Sequence, residues 1–462
     1  MTVTASNHSL SGHITVPGSK SHTIRALLLA TLAEGVSEIK NPLPSADCLS
    51  TAAAVPLIGS EVDLNLMTED EPGSSWIVTG AGKNIHLPTD VVNVGNSGSL
   101  LYFLSPIAAT FDGWSVFTGD DSIKKRPVAH VVDVLRQLGA EAYIARPEVN
   151  GCPLIIKGGV REPRKVTTGG TVSSQYISGL MFAALRMHAP LHIELTDPKE
   201  TPYLTMTKVW LERVGAKVSM SKDFKHITVT PPEEINAFTC TIPSDWEAVA
   251  FPLIAALMTD SDIVIDNIDG SGTQGDDAIV RILQSVGADI DWNREENTLH
   301  VRGGKKARDG IGRLSTEHCA GGELHVAVSD FPDAICALAV IACVIEGTTV
   351  LEDAAVCRRK ETDRLAVMET ELRKLGADVE AREDCFIIHG HAPMTANGSE
   401  NPLYALHASH VKSYGDHRVA MSLACLGLSL SGETEIEEAE CCKVSFPGFF
   451  DAMNALGAGF CS

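Results

Sequence analysis

The sequence predicts an α/β protein of two pseudo-symmetric domains, each built from three similar units, and three observations carry this. First, one short pattern recurs six times. An amphipathic helical stretch ends in Leu, Val or Ile, then Gly, then Ala or Ser, and a strand-like stretch follows. It appears as PLIGSEVDL at Gly59, RQLGAEAYI at Gly139, ERVGAKVSM at Gly215, QSVGADIDW at Gly287, RKLGADVEA at Gly376 and NALGAGF at Gly457. These glycines recur every 70 to 90 residues or so, longer than the roughly 20 to 50 of a solenoid repeat. Second, ALLLATLA, VAFPLIAALM, AICALAVIACV and VAMSLACLGLSL are apolar on every face and read as buried helices. Third, short runs such as SDIVIDNI, GTTVLEDA and GETEIEEA read as strands between them.

Each recurring glycine is expected just past a helix end, in the left-handed conformation that lacks a steric cost only for glycine. A fresh unit begins at TIPSDWEAVAF, so the boundary is expected near Thr241–Asp245. The first strand, near Gly12–Val16, precedes the first helical unit and is expected to cross back to the second domain. The predicted domains are therefore 17–242, and 1–16 together with 243–462.

A chain of 462 residues fits about two to three domains. No run approaches the roughly 18 apolar residues that span a bilayer. The first twenty residues show neither a basic nor an apolar leader region, so no secretory signal is expected. The 12 cysteines are scattered, with Cys441 and Cys442 adjacent. Free thiols in a reducing cytoplasm fit this better than a disulfide framework or a zinc site. The net charge of −22 argues against nucleic acid or anionic membrane as a partner. An anionic ligand would then need cations concentrated locally.

Seven motifs supply that concentration. In PGSKSHTIRALLLA, from Pro17, the loop Gly18, Ser19, Lys20 and Ser21 precedes a helix, and Arg25 lies four residues after Ser21 on the same face. A helix start presents unpaired N–H groups to a phosphate or carboxylate; the segment is not a P-loop, lacking GxxxxGK[ST]. In NVGNSGSLLYF, Gly95 and Gly98 permit close backbone approach. In TGDDSIKKRP, Lys124, Lys125 and Arg126 stand together, with Pro127 expected at the first helical position. In TVSSQYISGL, Ser173, Ser174 and Gln175 suit a phosphate and a neighbouring hydroxyl. In SDFPDAICALA, Asp333 precedes an apolar helix, as a cap or as a proton acceptor. In CRRKETDRLAVM, Lys360, Glu361 and Arg364 are expected in one helical turn, a carboxylate held ionised among cations. In SYGDHRVAMSL, Asp416, His417 and Arg418 open another buried helix. Alone, each motif also reads as a capped helix or a solvated ion pair. Together they place cations at the starts of buried helices in both halves, as expected of two domains facing a shared cleft for small polyanions.

In this order, PGSKS, the Gly-Asn-Ser-Gly loop, KKRP, VSSQ, FPDA, RKETDR and GDHR closely resemble the 5-enolpyruvylshikimate-3-phosphate (EPSP) synthases, enolpyruvyl transferases of the shikimate pathway. The resemblance runs from Pro17 to the SFPGFF stretch near Phe446. It implies two hinged domains, each of three βαβαββ units around buried helices, an inside-out α/β barrel. It implies that the 5-hydroxyl of shikimate 3-phosphate adds to C2 of phosphoenolpyruvate while C3 is protonated, and that phosphate then leaves. It implies no metal, no organic cofactor and no covalent enzyme intermediate, and a cytoplasmic monomer with small-molecule substrates. By correspondence, Lys20, Ser21, Arg25, Ser173, Ser174, Gln175, Tyr203, Asp333 and Lys360 face shikimate 3-phosphate. Lys20, Gly98, Arg126, Gln175, Glu361, Arg364 and Arg418 face phosphoenolpyruvate. Asp333 and Glu361, assisted by Lys20, are the expected proton carriers.

Four places depart from that pattern. Ser99 replaces a threonine, and Tyr102 stands where an arginine is typical, a change that bears on affinity or on sensitivity to the inhibitor glyphosate. Glu200-Thr201-Pro202-Tyr203 replaces Ser-(Lys/Arg)-Pro-Tyr, which puts the serine contact to the substrate phosphate in question. Val444 holds a place where some members carry lysine, leaving Lys443 and His417 as weaker candidates. Two rival readings are the UDP-N-acetylglucosamine enolpyruvyl transferases and a non-catalytic anion binder. The first carries GAKNA where this chain has GSKSHTIR, and a loop cysteine absent from TGDDSIKKRP. The second has no need of Asp333 and Glu361.

Overall fold

The computed structural model describes residues 1–65 and 75–461. Its chain separates into two compact units, Gly18–Pro243, and Met1–Pro17 with Ser244–Ser462. Each has its own apolar core.

In the Gly18–Pro243 unit the core is built on the helices Lys20–Leu32, Gly98–Ala108 and Gln175–Ala184. In the other unit it is built on Trp246–Met258, Ile335–Ala342 and His417–Gly427. From Tyr176 onward the Gln175–Ala184 helix is buried on every face, and so is the whole Trp246–Met258 helix. No amphipathic stripe is visible in such segments because they have no solvent face. None of the helices among the described residues is long and apolar enough to cross a membrane.

A second set of helices lies on the outside and ends at the recurring glycines. Gly59, Gly139, Gly215, Gly287, Gly376 and Gly457 all have positive φ, between 88° and 108°. After the first five the chain turns directly into a strand, such as Glu141–Arg146 after Gly139 or Asp378–Ala381 after Gly376, whereas after Gly457 the described residues form only an isolated bridge, Cys461 with Thr4.

Among the described residues, five sheets have four strands and one has three. The unit is clear in the second sheet. Val92–Asn93 runs parallel to Trp114–Thr118, which pairs antiparallel with Gly151–Lys157, which pairs antiparallel with Glu141–Arg146. One buried and one outer helix alternate with the strands, so the order is βαβαββ. The other complete sheets repeat this arrangement. None of the six closes on itself among the described residues, so the helical interior, not a hydrogen-bonded barrel, is the centre of each unit.

The chain crosses between units at two points. Ser11–Thr15 pairs in parallel with Asp262–Asp266, giving the first sheet of the Met1–Pro17/Ser244–Ser462 unit its parallel edge. Thr239–Thr241 does the same for Glu34–Lys40 in the Gly18–Pro243 unit. Val3–Ser6 pairs with Glu433–Glu437 and completes the three-stranded sheet. All 12 cysteines are free thiols, Cys441 and Cys442 included.

Candidate active site

In the Gly18–Pro243 unit, the predicted groups gather at the starts of its three buried helices. Lys20 is the first residue of its helix rather than part of a preceding loop, and its Nζ lies 3.6 Å from Asp47 Oδ2. Arg25 is only 1% exposed and reaches across the core. Its Nη1 donates to Ser21 O at 2.9 Å, its Nε to Thr207 Oγ1 at 2.9 Å and its Nη2 to Tyr203 O at 3.3 Å. Burial pushes its pKa down to about 9, with Tyr203 acting in the opposite sense. Its guanidinium stacks on Phe103, 4.9 Å from the ring centre. Thr207 Oγ1 in turn donates to Ser178 Oγ at 2.8 Å, which links the Thr201–Arg213 helix to the Gln175–Ala184 helix.

Gln175 opens that last helix. Its Nε2 donates to Ser99 Oγ at 2.9 Å and its backbone N–H to Ser173 Oγ at 3.1 Å. Ser99, one of the departures, therefore fixes the direction of the Gln175 amide. Glu200 is buried, with a left-handed backbone (φ 52°, ψ 41°). Its Oε2 accepts from Ser174 N at 2.8 Å, Ser174 Oγ at 2.9 Å and Ser173 Oγ at 3.4 Å. So Ser174 does not cap its helix through its hydroxyl, which donates its hydrogen bond to Glu200 instead.

Arg126 approaches the start of the Gly98–Ala108 helix so closely that a Cβ at Gly98 would stand 2.4 Å from its Nη1. Any side chain there would have to displace that guanidinium. Asp120 ties the two loops together. Its Oδ1 accepts from the N–H groups of Ser122 and Ile123 at 2.9 Å, and its Oδ2 from Asn96 Nδ2 at 2.6 Å. Pro127 is not the first helical residue: the helix is Ala129–Leu138, and Pro127 keeps an accepting carbonyl outside it. Tyr102 Oη donates to that carbonyl at 2.9 Å. The Tyr102 ring packs edge-on against His130, 5.3 Å between centres, and so braces the Arg126 loop without supplying a charge.

In the other unit the centre is Arg364, which is fully buried. Its Nη1 donates to Asp333 Oδ1 at 2.6 Å, its Nη2 to Glu361 Oε2 at 2.7 Å and its Nε to Asp416 Oδ2 at 2.9 Å. Burial alone would lower its pKa; Asp416, Glu361 and Asp333 outweigh that and hold it well above the usual value. Lys360 Nζ donates to Asp333 Oδ2 at 3.2 Å, so Asp333 bridges two cations. Lys360 and Glu361 are not on the helix of Arg364 as predicted. The helix is Arg364–Lys374, begun by Asp363, whose side chain accepts from Ala366 N. The helical i,i+4 pairing of Lys360 with Arg364 is thereby replaced: both cations converge on Asp333 instead.

Asp416 caps the His417–Gly427 helix through Arg418 N at 2.9 Å and accepts from Thr362 Oγ1 at 3.0 Å. Arg418 is buried and held by Glu247, through an ion pair and through Nη1 donating to Glu247 O at 3.1 Å. His417 is buried at the first helical position. Lys443 is exposed on a short 3-10 helix, Ala439–Val444, and is not drawn into the cluster by any contact described.

Three carboxylates had no assigned role in the sequence. Asp47 pairs with Lys20, and Glu247 with Arg418. Asp276 is buried, and burial, then the charges of Asp333 and Asp245, hold its carboxyl above the usual range against the opposing pull of Lys360. The signal for Asp276 was a Gln-Gly-Asp-Asp turn before an amphipathic helix, indistinguishable in sequence from a capping turn.

The model of the EPSP synthase (3-phosphoshikimate 1-carboxyvinyltransferase) family matches residues 4–453. The chain belongs to this family. The 3-phosphoshikimate 1-carboxyvinyltransferase of Ruminiclostridium cellulolyticum is 36% identical over 449 residues, 97% of this chain and 96% of that protein. That of Methanocaldococcus jannaschii is 34% identical over 451 residues, again 97% and 96%. Among solved structures, an EPSP synthase from Acinetobacter baumannii superposes with a TM-score of 0.77 at 25% identity, covering 99% of each chain. The enolpyruvyl transferase NikO from Streptomyces tendae shares the fold, with a TM-score of 0.76 at 15% identity over 100% of this chain and 98% of that one. EPSP synthases act on small-molecule substrates, and the cation-bearing helix starts of both units suit anions of that size.

Proposed function

We propose that this EPSP synthase transfers the enolpyruvyl group of phosphoenolpyruvate to the 5-hydroxyl of shikimate 3-phosphate, releasing phosphate, in the shikimate pathway. The observation that carries the mechanism is the sharing of Asp333 between Lys360 and Arg364, with Glu361 on the same guanidinium. Two carboxylates gathered on a common cation are placed to exchange protons with a bound substrate, and an adjacent lysine can return one.

In this reading shikimate 3-phosphate is taken by Lys20, Ser21, Arg25, Ser173, Ser174, Gln175, Tyr203, Asp333 and Lys360. Arg25 suits a phosphate or carboxylate because its cation is buried with neutral acceptors only. Phosphoenolpyruvate is taken by Lys20, Gly98, Arg126, Gln175, Arg364 and Arg418. Asp333 removes the proton of the attacking 5-hydroxyl. Glu361, with Lys20, delivers a proton to C3. The tetrahedral adduct then breaks its C2–O bond to phosphate and gives a C3 proton back to the Glu361 carboxylate, which leaves the enol ether and free phosphate. Small anionic substrates require no nucleic acid, membrane or protein partner, and on that ground the chain is read as a cytoplasmic monomer.

Phosphate release from the purified protein given both substrates tests the reading. No release above background, with both ligands still bound, would overturn it. In Glu361→Gln, turnover is expected to fall at least a hundredfold, the order of a lost general acid–base group, while shikimate 3-phosphate binds within a few-fold of normal.

A further inference from the structure

The donors assigned above to the substrate's phosphate are already holding an anion. Glu200 Oε2 accepts from the backbone N–H and the hydroxyl of Ser174 and from the hydroxyl of Ser173, at 2.8, 2.9 and 3.4 Å. The residue is 3% exposed. Its position begins the Thr201–Arg213 helix, yet its side chain makes no cap there. The carboxylate is turned instead to the start of the neighbouring Gln175–Ala184 helix, where an exogenous phosphate would bind. The backbone that aims it is left-handed, an arrangement uncommon and costly for a residue with a side chain. A carboxylate is thus set in a strained position, out of water, on the donors of an anion site.

We propose that Glu200 is a specificity-determining residue: an internal anion that competes with the C3 phosphate of the acceptor substrate and sets how strongly the enzyme prefers phosphorylated over unphosphorylated shikimate. This rests on the reading that Ser173 and Ser174 serve that phosphate. A phosphate carries about −1.5 to −2 charge near neutral pH. It cannot share these donors with a carboxylate at hydrogen-bond range without like-charge repulsion. To bind, it must displace the Glu200 side chain and break the three hydrogen bonds that hold it. A C3 hydroxyl meets no such repulsion and can itself donate to the carboxylate. Glu200 therefore opposes the phosphorylated ligand alone.

Dissociation constants for shikimate 3-phosphate and for shikimate, by titration calorimetry on the full chain, test this in Glu200→Gln and Glu200→Ser. Shikimate 3-phosphate is expected to bind at least tenfold more tightly in both variants, about 1.4 kcal/mol, with shikimate unchanged or weaker. In steady-state turnover the gain appears as a lower KM for shikimate 3-phosphate. Equal changes for the two ligands, or weaker binding of the phosphorylated one, would overturn the proposal, since a merely structural Glu200 affects both alike. A crystal structure of the unaltered protein with shikimate 3-phosphate does not depend on the variants folding. The Glu200 carboxylate is expected off Ser174 there, and a phosphate bound beside a carboxylate still on Ser174 N would sink the idea. Phosphate release by the unaltered protein, measured alongside, separates the two readings. Its absence undoes the reaction, whereas turnover with unaltered discrimination undoes only the role of Glu200.

Discussion

At the scale of single residues, space and charge decide more than side-chain type. Gly98 illustrates space. A methyl group there would meet Arg126 Nη1 at 2.4 Å, so Gly98→Ala must push the guanidinium aside. The expected result is a rise of about tenfold or more in the KM for phosphoenolpyruvate, the effect of losing one charge-assisted hydrogen bond, with much less change for shikimate 3-phosphate. Steady-state phosphate release with each substrate varied in turn measures it. Tyr102→Phe removes the bond to Pro127 O but keeps the ring, so a smaller rise of about two- to tenfold is expected.

His130 illustrates charge. It stands between Tyr102 and Tyr176, with ring centres 5.3 and 4.6 Å away. Burial lowers its pKa from 6.5 to about 4. Between those values the unfolded chain binds a proton that the folded chain refuses. The stability this represents is present above pH 6.5 and is lost as pH falls toward 4, up to about 3 kcal/mol over the full shift. In His130→Phe, which cannot titrate, the drop in unfolding free energy between pH 6.5 and 4.5 is expected to be smaller than in the unaltered protein. Urea unfolding at the two pH values checks this. An equal drop would show that the imidazole is not kept neutral by burial.

At the scale of elements, the recurring glycines were legible because a helix end imposes a local backbone conformation that sequence records directly. The buried helices were legible for a similar reason: an all-apolar segment of that length has nowhere to sit but a core. The start of the helix at Arg364 was not. Lys360 and Glu361 have good helical propensity, but Asp363 caps the helix and Lys360 is turned to Asp333, a contact between segments 27 residues apart. Tertiary charge pairing overrode local preference, and no single-segment pattern contains it. Glu200 was flagged as a departure by its position, but its bonds to Ser173 and Ser174 cross 27 and 26 residues and were equally invisible.

The glycines themselves differ in a way that can be measured. Gly287 has φ +97°, and a Cβ there would find its nearest neighbour, Arg313 O, at 3.5 Å. Gly376 has φ +88°, and a Cβ would meet Ala405 O at 2.6 Å and His407 Nδ1 at 2.7 Å. Gly287→Ala therefore incurs only the backbone strain of a left-handed alanine, about 1 kcal/mol. Gly376→Ala adds a clash with a backbone atom and is expected to cost at least about 2 kcal/mol. Chemical unfolding of the two variants, compared with the unaltered protein, should reproduce that order.

At the scale of the molecule, composition excluded partners but did not choose a ligand. A net charge of −22 left small anions admissible only if cations were gathered locally, and Arg25, Arg364 and Arg418 are all buried beside helix starts. The repeat count gave the architecture, while the closure of each unit came from strands far away in sequence. Thr239–Thr241 lies about 200 residues after Glu34–Lys40, its partner in the first sheet of the Gly18–Pro243 unit. That separation has a consequence. The 18–243 segment contains all three of its sheets, three buried helices and a separate core, so it is expected to fold alone and to unfold cooperatively. A segment ending at residue 236 lacks Thr239–Thr241 and leaves the edge of Glu34–Lys40 unpaired. It also loses the burial of Cys240 and Ile242. It is expected to be less stable by about 2 kcal/mol or more, and more prone to self-association. Urea unfolding and light scattering on the two fragments decide the matter. Equal stability would mean that the returning strand only connects the units, whereas a clear loss would show that the crossover completes the sheet it enters.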